Sequence, residues 1–147
     1  MTSNRRFNLR VYGIIINEMD EVLLSDERRH GHSFTKFPGG GLEFGEGTKD
    51  CLRREIEEEL NLDATIGDLF YVNDFYQESA FRKEDQLISF YYRVSEIDTA
   101  SIETSSISEP LSEDGERFRW VSLQELSEDM LTFPIDKVVA AKLTGKL

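Results

Sequence analysis

"GGGLEFGEGTKDCLRREIEEELNL", residues 39–62, is the stretch on which the reading of this chain turns. It opens on three glycines and closes on "REIEEEL", with Glu55, Glu57, Glu58 and Glu59 in five consecutive positions. The spacing predicts a helix from Thr48, as N-cap, to about Leu60, because Leu52, Ile56 and Leu60 recur every four residues. At ~100° per residue these three form a stripe about 80° wide. With Leu52 at zero, Glu59 falls near ~−20°, Glu55 near ~−60° and Glu58 near ~−120°, all along one flank. Glu57 falls near ~140°, on the side expected to face solvent.

Such a helix is locally unfavourable. Like charges at i,i+3 and i,i+4 repel by a few tenths of a kcal/mol per pair. Glu58 and Glu59 also sit toward the C-terminal end, where the helix dipole disfavours anions. A Glu-rich helix exposed to water is one reading, since glutamate is a good helix former. A hard divalent cation shared with phosphate is the other, and it would turn the conflict into a binding site. The preceding loop favours the second: Pro38 and Gly39–Gly41 remove side-chain bulk, so the backbone can approach a metal or phosphate closely. Glu46 and Arg54 add an opposite-charge pair that would hold loop and helix in register.

Outward from this segment the chain reads as strands, helix, strands, helix. "LRVYGIII" (9–16) is a β-branched and aromatic run read as a buried strand, and "EVLLS" (21–25) as the returning strand of a hairpin after the polar turn "NEMD". "DERRHGHSFT" (26–35) reads as a loop, and "KFPGGGLEF" as short extended pieces. Strands are expected at about 64–76 and at 86–97, the second with bulky residues on both faces. Residues 98–114 read as a loop, "RFRWVS" (117–122) as a strand, "LQELS" (123–127) as a short helix, and Pro134 to Leu143 as a closing helix. That order implies mixed α/β (α+β) layers in a single domain spanning residues 1–147.

Composition narrows the function classes. With 39% hydrophobic and 31% charged residues the chain is globular, and no apolar run approaches the ~20 residues of a membrane span. "MTSNRRFNLR" lacks a signal-peptide core, and Cys51 is the lone cysteine; both point to a reducing cytoplasm. Seventeen basic against 29 acidic residues give a net charge of −12, which argues against broad binding to nucleic acid. A small phosphorylated ligand remains compatible, because a bound cation reverses the field locally.

Gly40, Glu46 and "REIEEE" (Arg54–Glu59), followed by Asn61 and Leu62, resemble the Nudix box, G-x5-E-x7-R-E-U-x-E-E-x-G-U. Six fixed positions over 23 residues make the match specific, and "FPGG" leading into the box is typical of it. Asn61 departs from the usual glycine, but asparagine is the next best residue for the left-handed conformation expected past a helix end. The resemblance implies a mixed β-sheet sandwiched between helices and hydrolysis of a diphosphate linkage in a nucleoside diphosphate derivative. By the same resemblance Glu55, Glu58 and Glu59 are metal ligands with the Gly40 carbonyl, the ion is Mg²⁺ with Mn²⁺ as an alternative, and Arg54 orients the glutamates and pairs with Glu46. The base is a box glutamate or one of Glu113, Asp114 and Glu116. A homodimer follows from the resemblance alone.

The expected substrate is a nucleotide sugar or related nucleoside diphosphate derivative; the alternatives are a damaged nucleoside triphosphate, hydrolysed with release of pyrophosphate, and a nucleotide bound without turnover for regulation. Subgroup marks downstream of the box are not met, since Glu78 and Ala80 stand near the positions where a proline or a tyrosine would distinguish them. Arg28, Arg29, His30, His32 and Lys36 are candidates to meet phosphates, and Phe75, Tyr76 and Phe81 to stack on a base. Cys51 and Trp120 read as packing residues.

Overall fold

The computed structural model describes residues 4–107 and 109–146. The N-terminal reading at residues 1–3 and the loop reading at residue 108 lie outside them. Seven strands and two α-helices follow in chain order: β1 (Arg6–Ile14), β2 (Glu21–Arg29), β3 (His32–Lys36), β4 (Gly39–Gly41), α1 (Thr48–Leu60), β5 (Ala64–Val72), β6 (Asp85–Ile97), β7 (Gly115–Ser122) and α2 (Pro134–Leu143).

The strands form two sheets, β4-β1-β6-β5 and β3-β2-β7. In the first, β1 and β6 run parallel while the other pairs are antiparallel, so the sheet is mixed. The second is wholly antiparallel. The alternation in β6 is honoured: Tyr91 enters one core with Ile135, Val139 and Ala140 of α2, and Tyr92 enters the other with Leu52 and Ile56 of α1. β1 divides likewise, Ile14 facing the α2 side and Val11 and Ile15 the α1 side. The sheets therefore lie between the two helices, as the alternating hydrophobic pattern requires.

Four local expectations are corrected. β1 and β2 are joined by a tight turn held by the Asn17 side chain, yet they share only the Ile16–Val22 bridge. Both edges of β1 are already taken by β4 and β6, so β2 builds the other sheet. Residues 26–35 form the β2–β3 hairpin, turning at His30 and Gly31, rather than a loop. Its polar residues are strand-compatible because Asp26 accepts from Thr35 Oγ1 (2.6 Å) and Arg119 Nε (2.6 Å), and Glu27 pairs with Lys36. Residues 123–127 hold a turn, with a 3₁₀ turn following at Glu128–Met130. β5 stops at Val72 rather than reaching Tyr76.

α1 spans Thr48–Leu60 as its period predicted, with Gly47 rather than Thr48 as the N-cap. The Thr48 hydroxyl is engaged instead with Tyr92 Oη at 2.6 Å, and Asp50 accepts the Gly47 N–H at 3.4 Å. Asn61 ends the helix in the left-handed region (φ 57°, ψ 39°), its N–H donating to the Glu57 carbonyl. α2 starts with Pro134 at its first position, as expected.

Candidate active site

A cavity of about 750 Å³ opens between the α1 end of the first sheet and the start of α2. One wall is the glycine strand Gly39–Gly41 with Glu55 and Glu59 of α1; the opposite wall is Phe34, Phe81 and Phe133. These rings meet at centroid distances of 5.3–5.7 Å. The floor is the inward row of β1, Arg6, Asn8, Arg10 and Tyr12, paired in register with Asp85, Leu87, Ser89 and Tyr91 of β6.

The glycines earn their place by close approach. A Cβ on Gly40 would stand 2.3 Å from Glu55 Oε1, so the Glu55 carboxylate lies directly against that backbone. Gly39 has φ +142°, and a Cβ there would meet the Val11 carbonyl at 2.1 Å. Lys36, buried beneath, donates to the Phe37 and Gly39 carbonyls at 3.2 and 3.1 Å and pairs with Glu27 at 3.1 Å. It therefore holds the glycine strand in place rather than reaching outward as a free phosphate ligand.

Arg54 links the predicted residues. Its Nη2 and Nε contact the two oxygens of Glu46 at 2.7 and 3.0 Å, a bidentate pair. Nη2 also donates to the Gly41 carbonyl (3.1 Å), and Nη1 reaches Glu55 (3.3 Å) and both oxygens of Glu58 (3.3 and 3.4 Å). Those bonds from Arg54, with the Glu43 N–H, pull the Glu46 carboxyl down to about 2. Glu57 is exposed, as the helix geometry required.

The box glutamates are brought to one side of the helix but are not drawn tight. Glu55 and Glu59 line the cavity, while the mostly exposed Glu58 turns to Arg54. Among the described residues no three His, Cys, Asp or Glu are gathered closely enough to hold an ion. Glu58 is drawn aside by Arg54, whose Nη1 lies between it and Glu55, while Glu55 and Glu59 stay close to each other. Glu59 carries the clearest mark: its Oε2 is buried without a hydrogen-bond partner. Burial first, against the lowering effect of Lys36, then the charges of Glu116 and Glu55, push its carboxyl up to about 8. The orphaned Glu59 oxygen near Glu55, which lies against the bare Gly40 backbone, offers hard oxygen donors of the kind that suit Mg²⁺.

Of the three acids ahead of β7 or at its start, Asp114 is engaged in the β2–β3 turn, accepting from the His30 and Gly31 N–H groups. Glu113 is exposed. Glu116 is exposed as a residue, but its carboxyl is near enough to Glu27 and Glu55 to be raised by partial desolvation and by their charges. Arg29 lines the cavity, whereas His30 and His32 are exposed at the hairpin end and Arg28 donates to Leu111 O. Phe81 lines the cavity while 63% exposed; Phe75 and Tyr76 do not line it. Cys51 is buried, and Trp120 packs on the α1-side core.

Sequence reasoning missed Arg10, Glu27 and Asp136. Glu27 is buried and accepts from Ser25 Oγ at 2.9 Å. Asp136 is buried on the α2 side of the cavity and accepts a bond from Tyr91 Oη; burial pushes its carboxyl up to about 6. For Arg10 a signal was available: Arg6, Asn8, Arg10 and Tyr12 alternate with hydrophobic residues, the mark of a strand with one polar face.

The NUDIX domain family matches residues 6–142 of the chain. The 8-oxo-dGTP diphosphatase of Haemophilus influenzae is 32% identical over 118 residues, covering 78% of this chain and 75% of that protein. The 8-oxo-dGTP diphosphatase of Escherichia coli is 28% identical over 133 residues, covering 89% and 92%. Among solved structures, one from a study of MutT of Aliivibrio salmonicida and Vibrio cholerae superposes with a TM-score of 0.68 at 24% identity, over 97% of this chain and all of that one. At that identity the superposition speaks to the fold.

Proposed function

The chain belongs to the Nudix family, as a hydrolase of diphosphate anhydrides, and from that premise we propose that it cleaves a nucleoside triphosphate to the monophosphate and pyrophosphate with the help of Mg²⁺. The observation that supports this reading is the half-buried Glu59, whose Oε2 is buried without a hydrogen-bond partner among the described residues, lining with Glu55 and Gly40 a cavity of about 750 Å³. Two relatives aligned over most of the chain are named for a damaged purine triphosphate, which moves the preference from a nucleotide sugar to the triphosphate alternative. The reading takes residues 1–147 as one catalytic domain, supported by the family match over 6–142. Among the described residues no helix is long and apolar enough to cross a membrane. A cytoplasmic enzyme acting on free nucleotides fits this and the single cysteine.

Glu55, Glu58 and Glu59, with the Gly40 carbonyl, would hold the divalent ion. That ion supplies charge neutralisation at the phosphate oxygens and lowers the pKa of a bound water. The chain's own contribution is positional. Arg54 fixes the directions of Glu55 and Glu58 through Nη1 and ties them to the loop through Glu46. Lys36 braces the glycine strand from beneath. Glu116, at the start of β7 and near enough for its charge to act on Glu59, is the acid we assign to take a proton at its carboxylate, and the aromatic wall offers a face to the base.

The test is a product screen with and without Mg²⁺ over oxidised and ordinary nucleoside triphosphates and nucleotide sugars, read by mass spectrometry. Metal-dependent release of pyrophosphate from a triphosphate, lost by about 10³-fold in Glu58→Gln with the fold intact, is the expected result. Cleavage of nucleotide sugars alone would overturn the substrate class, and wild-type rates in Glu58→Gln would overturn the site.

A further inference from the structure

Five cationic side chains line the cavity: Arg6, Arg10, Arg29, Lys36 and Arg82. Four already have carboxylate partners. Arg6 and Arg82 share Asp85 at 2.7 and 2.8 Å, and Lys36 and Arg29 share Glu27 at 3.1 and 3.5 Å. Arg10 has none among the described residues. Its one side-chain hydrogen bond runs from Nε to Tyr12 Oη at 3.1 Å, and its guanidinium carbon lies 5.8 Å from the Tyr12 ring centroid. Those contacts fix the head group and leave Nη1 and Nη2 without a protein acceptor.

The place is as telling as the missing partner. Arg10 pairs in register with Gly41 on one side and Ser89 on the other, so it rises from the cavity floor beside the glycine strand. A Cβ added to Gly41 would come within 3.2 Å of Arg10 Nη1. Glu55 and Asp136 are near enough for their charges to act on or feel Arg10, yet both lie outside ion-pair distance, Glu55 being held by Arg54 and Asp136 bonded by Tyr91. A partly buried cation with no counter-ion is unfavourable, and a strand position at this depth would be more stable as an apolar residue unless an anion completes it. In a chain of net charge −12 such a site is where an anionic ligand can be drawn in.

We propose that Arg10 holds a phosphate of the substrate, its guanidinium fork taking the non-bridging oxygens beside Glu55 and the glycine strand. The proposal rests on the diphosphate-hydrolase reading above. The two free Nη groups match a phosphate bidentately, which an ammonium in the same place would not.

The test uses Arg10→Gln and Arg10→Lys in the full chain, with inorganic pyrophosphate as the probe. Calorimetric binding is measured with and without Mg²⁺, beside KM and kcat on the best triphosphate of the product screen and the thermal midpoint of each variant. The expected result is pyrophosphate binding and KM weakened about ten- to a hundredfold in Arg10→Gln, partial recovery in Arg10→Lys, and an unchanged thermal midpoint. Wild-type affinity and KM in Arg10→Gln overturn the assignment. Should that variant fail to fold, Arg10→Lys decides alone, and wild-type affinity in it overturns the assignment as well. If the wild type hydrolyses no diphosphate but its pyrophosphate binding depends on Arg10, the hydrolase reading falls and the anion site stands.

Discussion

The two helices each present acids to one cavity, and they do so in opposite ways. α1 brings Glu55 and Glu59 as a pair at the cavity wall, with Glu58 beside them and Arg54 bonded to Glu55 and Glu58. α2 brings a single acid, Asp136, into a buried place where Tyr91 Oη is its hydrogen-bond donor. Both Glu59 and Asp136 have their carboxyls raised, and burial is the first cause in each. The lesson lies in the company. The grouped carboxylates keep an orphaned oxygen, whereas burial raises the lone carboxyl of Asp136 against the lowering effect of the bond it accepts from Tyr91.

The largest effect that would separate the two is expected at Glu59. Glu59→Gln removes a proposed metal ligand and should lower turnover by about 10³-fold or more. The same variant should melt no lower than wild type without metal, because the lost carboxylate oxygen had no partner. It should also lose the rise in thermal midpoint that Mg²⁺ confers on the wild type. A full Mg²⁺-dependent rise in that variant would show that Glu59 binds no ion and erase the contrast between the helices.

A smaller effect is expected at Asp136, on stability rather than metal. Its folded-state carboxyl at about 6 lies above the ordinary 3.8, so the folded protein binds more protons in that window. The associated stability is fully present below about pH 4 and is lost as pH rises through about 6. At 1.36 kcal/mol per unit the loss amounts to roughly 3 kcal/mol. Asp136→Asn, which keeps an oxygen for Tyr91, should flatten the denaturation free energy between pH 4 and 7 and raise it at pH 8. An unchanged pH profile would mean that Asp136 is ionised in the fold and that the two helices present the same kind of acid.

The smallest effect is at the end of α1. Asn61 holds a left-handed conformation that glycine adopts without cost, so Asn61→Gly should stabilise by ~1 kcal/mol or less and leave kcat unchanged. A drop in kcat would show that the helix end takes part in placing the glutamates, which the present geometry assigns to Arg54 alone.

α1 was legible in the sequence almost residue for residue. Its period, its left-handed stop at Asn61, the outward Glu57 and the Glu46–Arg54 pair all follow from contacts between residues close along the chain. α2 was equally legible as a helix, but the burial of Asp136 was not, because Tyr91 lies 45 residues away. The β2–β3 hairpin was hidden for the same reason: "DERRHGHSFT" is too polar to read as strands until Asp26 meets Arg119 and Glu27 meets Lys36.

The chain by itself determined the spacing from Gly40 through Glu46 to Arg54, Glu55, Glu58 and Glu59, and with it the family and the acidic flank of one helix. Helix geometry is local and its period fixed, so those positions can be placed without knowing the rest. Only the tertiary structure decided which strands neighbour which, that Lys36 is an internal brace, that Phe34, Phe81 and Phe133 form one wall, and that Arg10 stands in the floor without a carboxylate partner among the described residues. Those facts depend on residues as far apart as Arg6 and Asp85, 79 positions along the chain. Sheet pairing is chosen by the global competition for burial and for strand edges, and no local period encodes it.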